Sequence, residues 1–274
     1  MIQNIHEYCV ENIIDKQAKE FYSDFKIKEI KPQLIADYKK TEHERRRDHF
    51  EGFCLSMFQQ VEAVVNYIFE SKETLQKIKD NKDKPVYEKW NKDLKKWERS
   101  GEDMLIPFLL MKKNKDSKKY TMDNNLLNQY FDDDNMPIVN YNPIKKSWGF
   151  LNRLRAILFF YYFEESLKSA REFNEVYNPG KELYTVRNQN HRGSTPSEYQ
   201  KKTINNIKGN ESKYYLIFYG FLVDFVTEVN SNYSNAKEDS NPKNQSGDKK
   251  KTQSRFLDDK SLSALKQVKK NIDS

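Results

Sequence analysis

Apolar residues return every three or four positions in three long stretches of the chain, the spacing of one face of an α-helix. Between Arg45 and Phe69, Phe50, Phe53, Cys54, Met57, Val61, Val64, Val65 and Ile68 make a stripe that must face a core. A second helix is predicted from Ser147, a suitable N-cap, through Phe150, Leu151, Leu154, Leu158, Tyr161, Tyr162 and Leu167. The "NPG" at Asn178 to Gly180 is expected to break it. A third occupies about Ser212 to Val229, where the run "YYLIFYGFLVDFV" predicts burial on most sides. Alternation with period two is scarce, and eight glycines and eight prolines leave few tight turns, so the predicted fold class is all-α.

Outside these stretches the pattern is weaker. Residues 1–41 read as an N-terminal helical extension, with Ile5, Val10, Ile13 and Ile14 as packing candidates. The predicted bundle spans 42–230, interrupted at about 72–146 by a lysine-rich insertion that contains Trp90, Trp97 and "MLIPFLLM" and is expected to fold onto the bundle's side. Residues 231–256 hold almost no apolar side chains and are expected to be a disordered linker. In the final segment, 257–274, Leu257, Leu262, Leu265 and Val268 at loosely helical spacing predict a short docking helix on a flexible tether.

Charge adds a lean toward polyanions: 48 Lys and Arg against 41 Asp and Glu give a formal charge of +7. Cys9 and Cys54 are too few for a zinc site and too far apart for a redox pair, so no metal or cofactor is expected and a reducing cytoplasm fits. No stretch reaches the roughly 20 apolar residues of a membrane span, and the N-terminus lacks the pattern of a signal peptide. "FDDDN" (Phe131 to Asn135) departs from a calcium loop and reads as a solvated acidic turn.

One segment stands apart from the helical pattern. "LYTVRNQNHRGS", Leu183 to Ser194, gathers Arg187, Asn188, Gln189, Asn190 and His191 between hydrophobic stretches. Arg187 and His191 are four apart and would share a face on a helix. Taken with "FQQVEAVVNYIF" and its acidic Glu62, then "WGFLNRLRAILFFYYFEESL", and finally the apolar last helix, this "RN…H" element resembles the HEPN superfamily over roughly Arg45 to Val229, without the insertion. In that family the arginine and histidine lie near the start of a late helix; "RNQNH" leaves three residues between them, fewer than is usual there.

The resemblance implies a HEPN-like bundle and metal-independent RNA cleavage in a homodimer, serving antiphage defence, toxin–antitoxin or CRISPR-associated systems. The residue types suit that chemistry. RNA carries its own nucleophile in the 2′-hydroxyl, so the enzyme must take that proton, protonate the leaving 5′-oxygen and offset charge on phosphorus. His191 can move protons near neutral pH, and Arg187 can hold two phosphate oxygens. A second copy across a two-fold axis would supply the second histidine. Asn188 could orient His191 or bind phosphate, and by the resemblance Glu62 would be the buried counter-charge of Arg187. Arg45, Arg46, Arg47, Arg153, Arg155 and Arg192 are candidate RNA-backbone contacts. A regulatory protein partner, an antitoxin or a defence-complex subunit, would control such an activity, with the insertion or the C-terminal helix gating the cleft. The alternative is a catalytically silent helical scaffold that binds RNA or protein.

Overall fold

The computed structural model describes residues 2–189 and 197–233. In chain order these are α1 (Ile2–Phe21), α2 (Lys31–Arg46), α3 (Phe50–Phe69), α4 (Lys72–Asn81), strands β1 (Glu88–Asn91) and β2 (Lys96–Arg99), α5 (Leu105–Leu109), α6 (Asn124–Tyr130), α7 (Phe150–Ile157) with a π-helical turn (Leu158–Tyr162), α8 (Ala170–Gln189), α9 (Glu198–Lys208) and α10 (Glu211–Asn232). The described chain is mostly helical, as the apolar spacing predicts. The expected linker and C-terminal helix lie outside the described residues, except that α10 and its cap take up Ser231 to Tyr233.

Helix α3 is the axis of the bundle, packing against α2, α7, α8 and α10. All eight apolar residues of its predicted stripe are buried. It begins at Phe50 rather than Arg45, because Asp48 adopts φ +54° and turns the chain between α2 and α3. Arg45 and Arg46 therefore close the last turn of α2, where a cation is favoured by the helix dipole rather than opposed by it. Helix α1 packs through Ile14 and Ala18, with Tyr22 just past its end on the same side, whereas Ile5 and Ile13, expected to pack, are 58% and 50% exposed.

The second predicted helix is two elements. After the π-helical turn, Glu164 and Glu165 take positive φ, and the chain runs straight enough at Leu167 to bridge Tyr87 before α8 starts. Ser169 Oγ accepts the Glu172 amide at 3.2 Å and Glu172 Oε2 accepts the Lys168 amide at 2.9 Å, which satisfies exposed donors at the start of α8. "NPG" does not end this helix: Pro179 lies inside it. Gly180 sits where α8 crosses its neighbours, since a Cβ there would come within 2.9 Å of Leu154 Cδ2 and Phe221 Cζ. Tertiary packing keeps a helix that local propensity would stop.

The lysine-rich insertion contributes to the core. All five residues of α5 are buried, and Ile78, Val86, Leu126 and Phe131 join the same core as α3. Helix α10 buries one face through Phe218, Phe221, Leu222 and Phe225, while Leu216 is 46% exposed, so its apolar run is not enclosed on most sides. The buried Gln60 is matched on both sides: Tyr22 Oη donates to Gln60 Oε1 at 2.8 Å, and Gln60 Nε2 donates to Thr41 Oγ1 at 2.9 Å. No described helix is long and apolar enough to cross a membrane.

Candidate functional site

Arg187 and Asn188 lie in the last turn of α8. This helix is held by Phe173, Tyr177, Leu183 and Val186, all buried, so its C-terminal end is fixed by packing. Three aromatic residues from three helices build a floor beneath that end. Phe58 of α3 meets Phe150 of α7 at 4.8 Å between ring centres, and Phe150 stacks on Tyr184 of α8 at 5.2 Å and 18°. The Arg187 guanidinium lies over the Phe58 ring, 5.4 Å from its centre, and Nη1 donates to Asn188 Oδ1 at 2.9 Å. A cation over a ring face at a helix C-terminus is favoured on both counts, by the ring quadrupole and by the dipole. The guanidinium is half-buried, and its other donors meet no acceptor among the described residues.

Placement differs from the expectation in two respects. The arginine sits at the end of α8, not near the start of a late helix; the next helix, α9, begins at Glu198. His191 and Arg192 follow α8 and lie outside the described residues. Glu62, one turn beyond Phe58 on α3, makes no hydrogen bond or ion pair with Arg187 among the described residues, and Arg187 rests on Phe58 instead.

The candidate backbone contacts separate into three groups. Arg155 is a correction: at 4% exposure it lies in the core, and Nε donates to the Phe108 carbonyl at 2.8 Å among four aromatic rings, so it cannot meet a phosphate at the surface. Arg153 is also committed, to Glu70 Oε1 at 2.7 Å, Asn66 Oδ1 at 3.1 Å and the carbonyls of Trp148 and Val139 at 2.9 Å each, with its ring-facing side over Phe69. Arg46 and Arg47 are exposed, as is Arg45, which forks onto Glu42 with Nη2 to Oε2 at 2.7 Å. That bond to Glu42 raises the already high Arg45 pKa.

Arg45 also lines a cleft of about 520 Å³ that sequence reasoning did not find. Tyr38, Glu42, Asp48, Tyr215 and Tyr219 line it with Arg45, while Arg187 and Asn188 do not. Tyr38 and Tyr219 share a hydrogen bond at 2.7 Å, and burial, with Asp48 beside it, pushes the Tyr215 hydroxyl up to about 12. The cleft's polar groups thus largely satisfy one another. Among the described residues no group of three or more His, Cys, Asp or Glu side chains is placed to hold a metal ion.

The chain matches no protein-family model, no curated protein and no solved structure. The end of α8 then stands out by its geometry: a guanidinium over the Phe58 ring, an amide bonded to it, and a histidine and a second arginine a few residues on in sequence.

Proposed function

We propose that the protein is a metal-independent endoribonuclease of HEPN type, acting as a homodimer in a defence or toxin–antitoxin setting. The observation that supports this best is the Arg187–Asn188 pair, with a guanidinium over the Phe58 ring, bonded to Asn188, and with further donors that meet no acceptor among the described residues. In this reading Arg187 grips two non-bridging phosphate oxygens and offsets the charge that builds on phosphorus. His191 takes the 2′-hydroxyl proton, and His191 of a second copy gives a proton to the departing 5′-oxygen. Asn188 keeps Arg187 in place. The negative end of the α8 dipole opposes a bound phosphate, so Arg192 and a second copy's Arg187 have work to do beyond simple attraction.

A second reading is favoured by the same position. An arginine in the last turn of a helix, stacked on a ring, is also what stabilises a helix end in a silent scaffold that binds RNA or protein.

Cleavage of an end-labelled single-stranded RNA in EDTA separates them. The nuclease reading expects products with 2′,3′-cyclic phosphate ends from the wild type and none from Arg187→Ala or His191→Ala. If the wild type leaves the RNA intact while both variants bind it as well as the wild type does, the scaffold reading replaces it.

A further inference from the structure

The β1–β2 hairpin is composed unlike a packing element. Trp90 and Trp97 are cross-strand partners with ring centres 5.8 Å apart at 65°, yet they are 48% and 50% exposed. The base of the hairpin is anchored. Glu88 accepts a hydrogen bond from Ser166 Oγ at 2.7 Å and its amide donates to the Leu167 carbonyl at 2.8 Å. Opposite it, Arg99 pairs with Glu165 at 3.5 Å and lies over the Phe159 ring at 5.6 Å. An anchored base holds the outer half in solvent as a short, stiff arm. That outer half carries Lys92, Lys95 and Lys96, all exposed, and Lys168 places its ammonium 5.2 Å from the centre of the Trp97 ring.

A cross-strand tryptophan pair stabilises a hairpin, but stability does not require leaving both rings about half exposed, with the Lys168 ammonium over one of them and three lysines on the same arm. The positive charge also continues past the arm. Residues 84–120 hold eleven Lys and Arg against six Asp and Glu, a surplus of five out of the chain's seven. Lys89 at the arm's base and Lys119 of the exposed lysine-rich turn both act on Glu102, Lys119 the more strongly through a direct ion pair, so the turn lies beside the arm's base.

We propose that this hairpin is an arm that binds single-stranded RNA, with bases stacking on Trp90 and Trp97 and phosphates meeting Lys92, Lys95, Lys96 and Lys168. Open aromatic rings set among lysines are what an unpaired strand needs: every base has a face to stack, and the backbone follows positive charge. A duplex hides those faces. An anionic membrane fits less well, because the tip of the arm holds Asp93, whose amide and that of Leu94 donate to Asn91 Oδ1 at 3.0 and 3.1 Å, and Leu94 is the one apolar residue of that turn. The arm adjoins the start of α8, and Arg187 lies seventeen residues further along it, roughly 26 Å at 1.5 Å per residue. The arm thus grips RNA away from the proposed cleavage site, and the inference stands on the hairpin whether or not that site cuts.

The test is fluorescence anisotropy with a labelled 2′-O-methyl RNA strand, whose blocked hydroxyl removes the nucleophile and leaves binding alone to be read. Trp90→Ala and Trp97→Ala should each raise Kd by about fivefold or more. Because either could loosen the hairpin, the paired variant Lys92→Glu with Lys95→Glu tests the arm with both rings in place; it should weaken binding and lower the salt slope by roughly 1 to 2. Unchanged Kd in the charge variant and in folded tryptophan variants overturns the proposal. So does equal affinity for the matching duplex, or wild-type binding to phosphatidylserine vesicles without binding to the RNA. A wild type that binds neither RNA nor vesicles overturns it as well and leaves the arm to a protein partner.

Discussion

Arg155→Lys separates a packing role from a phosphate-binding one at a position where the sequence favours the second. The Arg155 guanidinium stands 4.1 Å from the Phe108 ring centre, 4.8 Å from Phe173, 4.9 Å from Tyr177 and 5.9 Å from Tyr120. Nε donates to the Phe108 carbonyl at 2.8 Å, and the residue is 4% exposed. Lysine keeps the charge, so the cost of burying a cation is not relieved, and its more strongly hydrated ammonium makes that cost larger. A planar group that touches several rings is replaced by a point charge. A desolvated cation–π contact contributes about 2 kcal/mol and a charge-assisted hydrogen bond about 1.5–3 kcal/mol. Losing about half of the first and most of the second amounts to roughly 2–4 kcal/mol, or a Tm lower by roughly 5–15 °C for a chain of this size. Thermal unfolding followed by circular dichroism reads this directly. A phosphate contact would tolerate lysine with Tm unchanged, so a variant as stable as the wild type but weaker in RNA binding refutes the aromatic cage.

Three further outcomes follow from the same geometry. Gly180→Ala places a methyl group 2.9 Å from Leu154 Cδ2 and Phe221 Cζ, and should destabilise by about 1–3 kcal/mol in denaturant melts; a neutral result would mean that α8 can shift at this crossing. Tyr22→Phe removes the donor to Gln60 Oε1 in the core and should cost about 1–3 kcal/mol, with no cost expected if another donor replaces it. Burial raises the Glu182 carboxyl above its ordinary 4.5, with Lys181 and Lys213 opposing. The folded state then holds that proton more tightly than the unfolded chain, so the group costs stability above its raised pKa and nothing well below 4.5. Glu182→Gln should accordingly raise Tm at neutral pH, with the gap closing in acid; a lower Tm at neutral pH contradicts this.

How much of the molecule can be read from sequence depends on how local each determinant is. The stripe on α3 is legible because eight apolar residues on one face leave no other arrangement. The break at Glu164 and Glu165 is not, since neither residue type demands positive φ, and the continuous run through Tyr162 looks helical beyond it. "NPG" misleads in the other direction: Pro179 loses one backbone hydrogen bond, but Gly180 permits the close crossing with Leu154 and Phe221 that holds α8 together. The hairpin's four-residue strands are too short for alternation to register, although two tryptophans placed symmetrically about the turn Lys92-Asp93-Leu94-Lys95 are a usable signal.

The same reasoning explains why the α8 terminus is half legible. Arg187 and Asn188 stand out by composition, because such residues are conspicuous between hydrophobic runs. Which end of a helix they occupy depends on whether Pro179 stops α8, a question settled by contacts from α7 and α10 rather than by neighbours in sequence. What Arg187 rests on depends on Phe58, a residue of another helix that any reading of the local motif passes over in favour of the acidic Glu62 one turn away. Polar side chains such as Arg187 announce themselves by type, whereas the groups they rest on are ordinary core residues and become recognisable when the packing is known. Phe58 is therefore a position where a modest change should tell on function: Phe58→Leu keeps an apolar core residue but removes the ring face beneath Arg187. On the nuclease reading it should lower cleavage while leaving RNA binding by the hairpin arm intact. Cleavage equal to that of the wild type in a folded Phe58→Leu variant would show that the aromatic floor does not orient the arginine.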